Sequence, residues 1–144
     1  MKKTLLTLAL TASALLAQDC SYAHNLSPHQ YKSSDLDCIG KITEKDFAKA
    51  TPLRIDNTTV LTSLKYDEKT NTVINKYTLF QGMHVSKRDW DLAVKEVSKN
   101  TTETNCTNPN SKQLLDFGLN AKHIYTDYNT KRQFTVLVNK NICK

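Results

Sequence analysis

Four cysteines and four histidines are the residues of this chain whose chemistry could set its function. Cys106 and Cys143 stand nowhere near the C-x-x-C spacing of a redox pair, and no close second pair accompanies them, so neither a thiol oxidoreductase nor a zinc site is expected. His24, His29, His84 and His123 include no pair at the spacing of helical metal ligands. His24 could chelate copper only as the first residue of a cut chain, and no partner ligand stands beside it. Ser, His and Asp residues occur without a nucleophile elbow or glycine-rich loop to arrange them, so hydrolase chemistry has no motif. Cys38 as a lone nucleophile competes with a plain surface thiol or the mate of Cys20. On these grounds no catalytic residue, metal or cofactor is assigned. The chain is read as a non-enzyme, with a small exported enzyme as the rival class.

The chemistry that remains is cross-linking. Cys106 precedes one expected helix and Cys143 closes the last expected strand, so a bridge between them would tie a helical layer to an outer strand. Closing a loop of that length is worth about 3 to 4 kcal/mol on the chain-entropy account. A second pair, Cys20 with Cys38, depends on how the N-terminus is processed.

Met1-Lys2-Lys3 followed by the apolar run Leu5–Leu16 reads as a secretory signal peptide, which places the mature protein in the periplasm or outside the cell. The run is too short for a membrane span, which needs about 20 residues. Two cuts compete. Ser21-Tyr22-Ala23 is the better small-x-small site and defines residues 1–23 as the signal. Leu15-Leu16-Ala17 ends the apolar run directly and keeps all four cysteines, the even count that an oxidising compartment favours. Gln18-Asp19 places polar bulk where a lipoprotein signal needs small residues, so lipidation of Cys20 is rejected.

The chain of 144 residues carries a formal charge of +6, and loss of Lys2, Lys3 and Asp19 leaves a mild excess with acidic residues interspersed, which is no nucleic-acid footprint. A basic bias from Pro109 to Lys144 reads as a solvated hairpin face, or as a weak contact for an acidic partner or anionic headgroup. The length suits one domain, placed at 42–144 behind a polar, aperiodic segment, 24–41.

Within that domain Thr43 stands as an N-cap with Asp46 three residues on, and Ile42 and Phe47 sit as a staple, predicting a helix to Ala50 that Thr51-Pro52 ends. Thr58–Tyr66 alternates, with Val60, Leu64 and Tyr66 on one face. Asp67–Asn71 turns the chain into a second strand, Val73–Phe80, before Gln81-Gly82 breaks it. Ser86 caps a helix whose Trp90, Ala93, Val94 and Val97 form a buried stripe up to Lys99. A polar loop, Asn100–Asn105, follows. Asn108-Pro109 starts the next helix, and Gly118 suits its left-handed end. Strands at Leu119–Tyr128 and Arg132–Ile142 complete the order α-β-β-α-α-β-β. The expectation is an α+β domain in which an antiparallel four-stranded sheet, two hairpins, is covered on one face by about three helices.

The segment Cys106-Thr107-Asn108-Pro109, then Leu114-Leu115-Asp116-Phe117-Gly118-Leu119, then Tyr125, the turn after Asp127 and the closing Asn141-Ile142-Cys143 resembles the C-terminal half of the alternative (AspS-type) pilotins of type II secretion. The likeness reaches back to the hairpin near Thr59–Phe80 and is shared with a wider set of small exported bacterial proteins. It implies a helix-covered antiparallel sheet, a Cys106–Cys143 disulfide and a job in binding another protein. Such pilotins are lipoproteins that escort an outer-membrane secretin by gripping its C-terminal helix, and this chain departs from them in lacking the lipid-attachment box.

The expected function is that of an exported protein-binding module that assists a secretion or pilus-assembly machine, a periplasmic inhibitor or immunity-type protein being the alternative. The partner is another protein, such as a secretin or pilus component, with no nucleic acid and no integral membrane span. A groove between the sheet and the Ser86–Lys99 helix would favour capture of a partner helix or strand, with Trp90, Val94, Val97, Leu64 and Tyr66 as candidate contacts. A pocket holding His84 or His123 beside a carboxylate would favour catalysis.

Overall fold

The computed structural model describes residues 19–80 and 86–144. Three 3-10 turns lead into α1 (Leu36–Ala50), a short β1 (Leu53–Arg54), β2 (Thr59–Asp67) and β3 (Thr72–Leu79). Then come α2 (Lys87–Thr107), α3 (Pro109–Asp116), β4 (Asn120–Asp127) and β5 (Gln133–Val138). The strands form one sheet in the order β1-β2-β3-β4-β5. Among the described residues no helix is long and apolar enough to cross a membrane. His84 and the Gln81-Gly82 break lie outside the described residues.

The fold class is α+β, with two corrections to the expected sheet. It has five strands, and it is mixed. The hairpins β2–β3 and β4–β5 are antiparallel as expected, but β3 pairs with β4 in parallel, from Thr72 opposite Asn120 to Leu79 opposite Asp127. The physical reason is the connection. Two helices carry the chain from the end of β3 back to the end where β3 began, so β4 must run the same way as β3. The fifth strand, β1, is only two residues long and pairs with Leu61 and Val60, too short to leave an alternating pattern.

A second departure lies inside β2. The ladder shifts between Leu61 and Ser63, a bulge that puts Leu61 on the same face as Leu64, both buried. An extra residue inverts the alternation beyond it, so Val60, expected on the face of Leu64 and Tyr66, lies on the other face and Leu61 takes its place. The inner face of the sheet then runs Leu61 and Leu64 on β2, Val73, Asn75, Tyr77 and Leu79 on β3, Ala121, His123 and Tyr125 on β4, and Phe134, Val136 and Val138 on β5.

All the helices lie over that face. The first helix begins at Leu36, seven residues before Thr43, because Leu36, Cys38 and Ile39 are buried there. Thr43 is therefore interior, its Oγ1 donating to the Ile39 carbonyl at 2.7 Å. Gly40 hid this first turn, since glycine costs a helix interior about 1 kcal/mol. It is needed because the Tyr66 ring packs directly on the helix backbone there. Preceding turns are fastened to α1 by a Cys20–Cys38 disulfide and by the Tyr22 hydroxyl, which donates to Asp35 Oδ1 at 2.9 Å.

The second helix starts as its cap predicts, with Ser86 Oγ accepting from the Asp89 amide, but it runs on to Thr107 through the stretch expected to be a loop. Asn108 then caps α3 by accepting from the Asn110 and Ser111 amides. Gly118, at φ 109°, closes α3, its amide bonding the Leu115 carbonyl while the Leu119 amide reaches Leu114. Cys106 near the end of α2 is bridged to Cys143 in the turn after β5. At the β4–β5 turn the buried Asp127 holds the chain through Oδ2, which accepts from the Thr130 amide and hydroxyl.

Gly40→Ala tests the close approach of α1 to the sheet. A Cβ at this position overlaps the Tyr66 ring, so a loss of about 1 to 3 kcal/mol is expected from urea midpoints. Combining it with Tyr66→Ala gives a loss smaller than the sum of the two single losses.

Candidate functional site

The first helix leans on β2 and the second on β5, so the two stand on opposite sides of β3 and β4. Between them the inner face of the sheet forms the floor of a trough. Two cavities occupy it and share Asn105 of α2 as a lining residue. One, of about 210 Å³, lies between α1 and α3. It is walled by Ile39, Phe47, Leu64, Leu114 and Leu119, with Asn75 among its few polar groups. The other, of about 380 Å³, lies between α2 and the β1–β2 loop, over Tyr77, His123 and Tyr125.

The trough is apolar at the α3 end and polar at the α2 end, and the polar end is what shaped α2. Thr101 Oγ1 lies 2.7 Å from the Tyr125 hydroxyl, and Asn105 Nδ2 donates to His123 Nε2 at 3.4 Å. The helix residues that look like a loop in sequence thus face a part of the sheet that offers hydrogen bonds instead of hydrocarbon. Tyr77, Tyr125 and Phe134 stack across β3, β4 and β5, with ring centroids 4.6 and 4.9 Å apart. His123 extends the row beside Tyr77, whose hydroxyl is 3.2 Å from His123 Nδ1. With Nε2 accepting from Asn105, these contacts fit the neutral imidazole protonated at Nδ1.

Electrostatics keeps this floor uncharged. Burial pushes His123 down to about 4 and pushes the Tyr77 hydroxyl up, so both are neutral at physiological pH. Asp56, the carboxylate at the rim of the same cavity, is held below its ordinary range chiefly by the Thr58 backbone amide, against which burial works; its Oδ1 also accepts from the Thr58 hydroxyl. Asn75 is 7% exposed, lines the apolar cavity, and its side-chain amide has no hydrogen-bond partner among the described residues. Among the described residues no cluster of His, Cys, Asp or Glu has the makings of a metal site.

The five expected contact residues are not gathered in one place. Leu64 lines the apolar cavity and Val97 the polar one. Tyr66 sits under Gly40, its hydroxyl donating to Asn71, and Trp90 is 9% exposed with its edge on Phe134 at the β5 margin. Val94 is half-buried on α2. Asn75, Asn105, Leu114 and Leu119 were missed as site residues. Phe47 and Leu114 carried only a helix signal, Ile39 lay in the segment expected to be aperiodic, and Asn75 sits in a strand pattern as a polar residue at an inward position, the one cue available.

The family described as Domain of unknown function (DUF8479) matches residues 37–135, from the first turn of α1 into β5. The chain belongs to this family. No curated protein matches its sequence. Among solved structures, the pilotin of the Vibrio vulnificus type 2 secretion system, EpsS, is 12% identical with a TM-score of 0.64, over 78% of this chain and 94% of that one. A candidate secreted protein from Pseudomonas aeruginosa is 17% identical with a TM-score of 0.60, over 78% of this chain and 96% of that one. At these identities the likeness is one of fold, and the family member described here has a pilotin-like fold.

The buried imidazole gives a signed pH prediction. Its pKa in the folded state lies below the ordinary 6.5, so the unfolded chain takes up the proton first. Stability is complete above about 6.5 and falls as pH drops toward about 4, by roughly 3 kcal/mol from this group. His123→Gln removes that part of the acid slope. Urea unfolding of both proteins at several pH values between these limits checks it, the gap between them narrowing as pH falls.

Proposed function

We propose that this chain is an exported, non-catalytic binding module that clasps a partner's amphipathic helix in the trough between α1 and α2–α3, in the manner of an AspS-type pilotin, and so assists a secretion or pilus-assembly machine. The observation that carries the reading is the trough itself: apolar walls from α1 and α3, and a largely polar wall from α2, over a floor that mixes hydrocarbon with uncharged polar groups. Its floor, from Val73 to Tyr77 and from Ala121 to Tyr125, spans roughly 13 Å, the length of two to three turns of helix. Leucine-type side chains of a partner would fill the Leu64–Leu114–Leu119 end. A hydroxyl or amide on the same helix face would pair with the free Asn75 amide and raise specificity, since a partner lacking it leaves that amide unpaired.

The sequence resemblance, the shared fold and the two disulfides support this reading over an inhibitor or immunity role, for which the trough would have to receive an enzyme's loop. A catalytic reading draws on His123 and Asp56 in one cavity. Against it, the imidazole is bonded to Tyr77 and Asn105, and the carboxylate is committed to its own loop through Thr58.

A synthetic peptide from the C-terminal helix of the host's own secretin, titrated into the disulfide-bonded protein and followed by calorimetry, is the direct test. Binding at a Kd of about 1 μM or tighter is expected, with a negative heat-capacity change from apolar burial. Leu114→Asp, half-buried on the trough wall, should weaken it at least tenfold while circular dichroism stays unchanged. No heat from the peptide, or equal affinity in the variant, refutes the proposal.

A further inference from the structure

We infer that the exported chain is cut between Ala17 and Gln18, so that Cys20 survives in the mature protein as a disulfide partner and carries no lipid. The cut at Ala23 is excluded by what it would remove. Cys38 is 1% exposed inside α1 and its sulfur is bonded to that of Cys20 at 2.02 Å. Without Cys20 a buried thiol would be left unpaired in a compartment that oxidises thiols. Tyr22 would go too, and with it the hydrogen bond to Asp35, a buried carboxylate just ahead of α1. Ala23 itself is 4% exposed, and its amide and carbonyl close the turn that runs from Cys20 to Leu26. Residues 20–26 therefore belong to the folded unit, and a processing site has to lie upstream of them. Ala17, the small residue that ends the apolar run, is the site.

The same bridge decides the anchor. A lipoprotein cysteine is the first residue of the mature chain and holds its diacylglycerol through Sγ. Here Sγ of Cys20 is already covalently bonded to Cys38, and one sulfur cannot do both. A chain cut at Ala17 instead exposes Gln18, whose α-amine can attack its own side-chain carboxamide carbon, forming a lactam and expelling ammonia.

The full chain, expressed in a bacterial host and purified from the periplasm, tests this by intact mass. The expected species begins at Gln18, with or without loss of one ammonia. It shows no thiol open to alkylation in denaturant before reduction and four after it. A chain beginning at His24, or an acylated Cys20, overturns the inference. Cys20→Ser supplies an independent readout. Under the proposal it shifts the mature mass by the substitution and frees one alkylatable thiol at Cys38; a mature mass identical to wild type means Cys20 had left with the signal and refutes it.

Discussion

The parallel pairing of β3 with β4 is the constraint from which the rest of this structure follows. Two antiparallel hairpins alone would make a meander with no need for a long connection. Joining them in parallel obliges the chain to leave the sheet after Leu79, cross it, and return to begin β4 beside the start of β3. That crossing is α2 and α3. It has to cover the same face as α1, because that face holds the buried side chains of all four long strands. With α1 already seated on β2, the crossing is displaced toward β5, and β3 and β4 are left as the floor between two walls.

Each wall is fastened separately. Cys20–Cys38 holds the N-terminal turns to α1, and Cys106–Cys143 holds the end of α2 to the turn beyond β5. Neither bridge crosses the trough. For a small domain, whose core alone supplies only a few kcal/mol, two loop-closing bonds compensate for a sheet face that is incompletely roofed. They also tie each wall to its neighbouring segment without filling the space between the walls.

Much of this was legible in the residues. The caps at Ser86 and Asn108, the left-handed end at Gly118 and both hairpin turns follow from local chemistry that acts within a few positions. What was hidden depends on residues far apart in sequence. The helical character of Asn100–Thr107 rests on Thr101 meeting Tyr125 and Asn105 meeting His123, partners 24 and 18 positions away, so a polar helix face looked like a loop. The early start of α1 rests on Tyr66 filling the space above Gly40. The inverted face of Val60 rests on a single bulge, and the parallel pair on the path of two helices. The trough was glimpsed as a groove against the Ser86 helix, but its apolar half lies between α1 and α3, where the expected N-terminal boundary had removed half of one wall.

The polar floor explains how such a groove can be both stable when empty and selective when filled. A trough lined wholly by hydrocarbon would expose an apolar patch of the kind that drives aggregation, whereas His123, Tyr77, Asn75 and Asn105 keep part of the floor hydrated. Because burial holds the imidazole and the phenol neutral, a ligand that covers them does not have to strip water from an ion, and the desolvation cost stays that of ordinary amides and hydroxyls. The cost is recovered only by a ligand that returns the hydrogen bonds. On the proposed reading, shape and hydrocarbon set how tightly a partner helix sits, while the Asn75 amide sets which partner does.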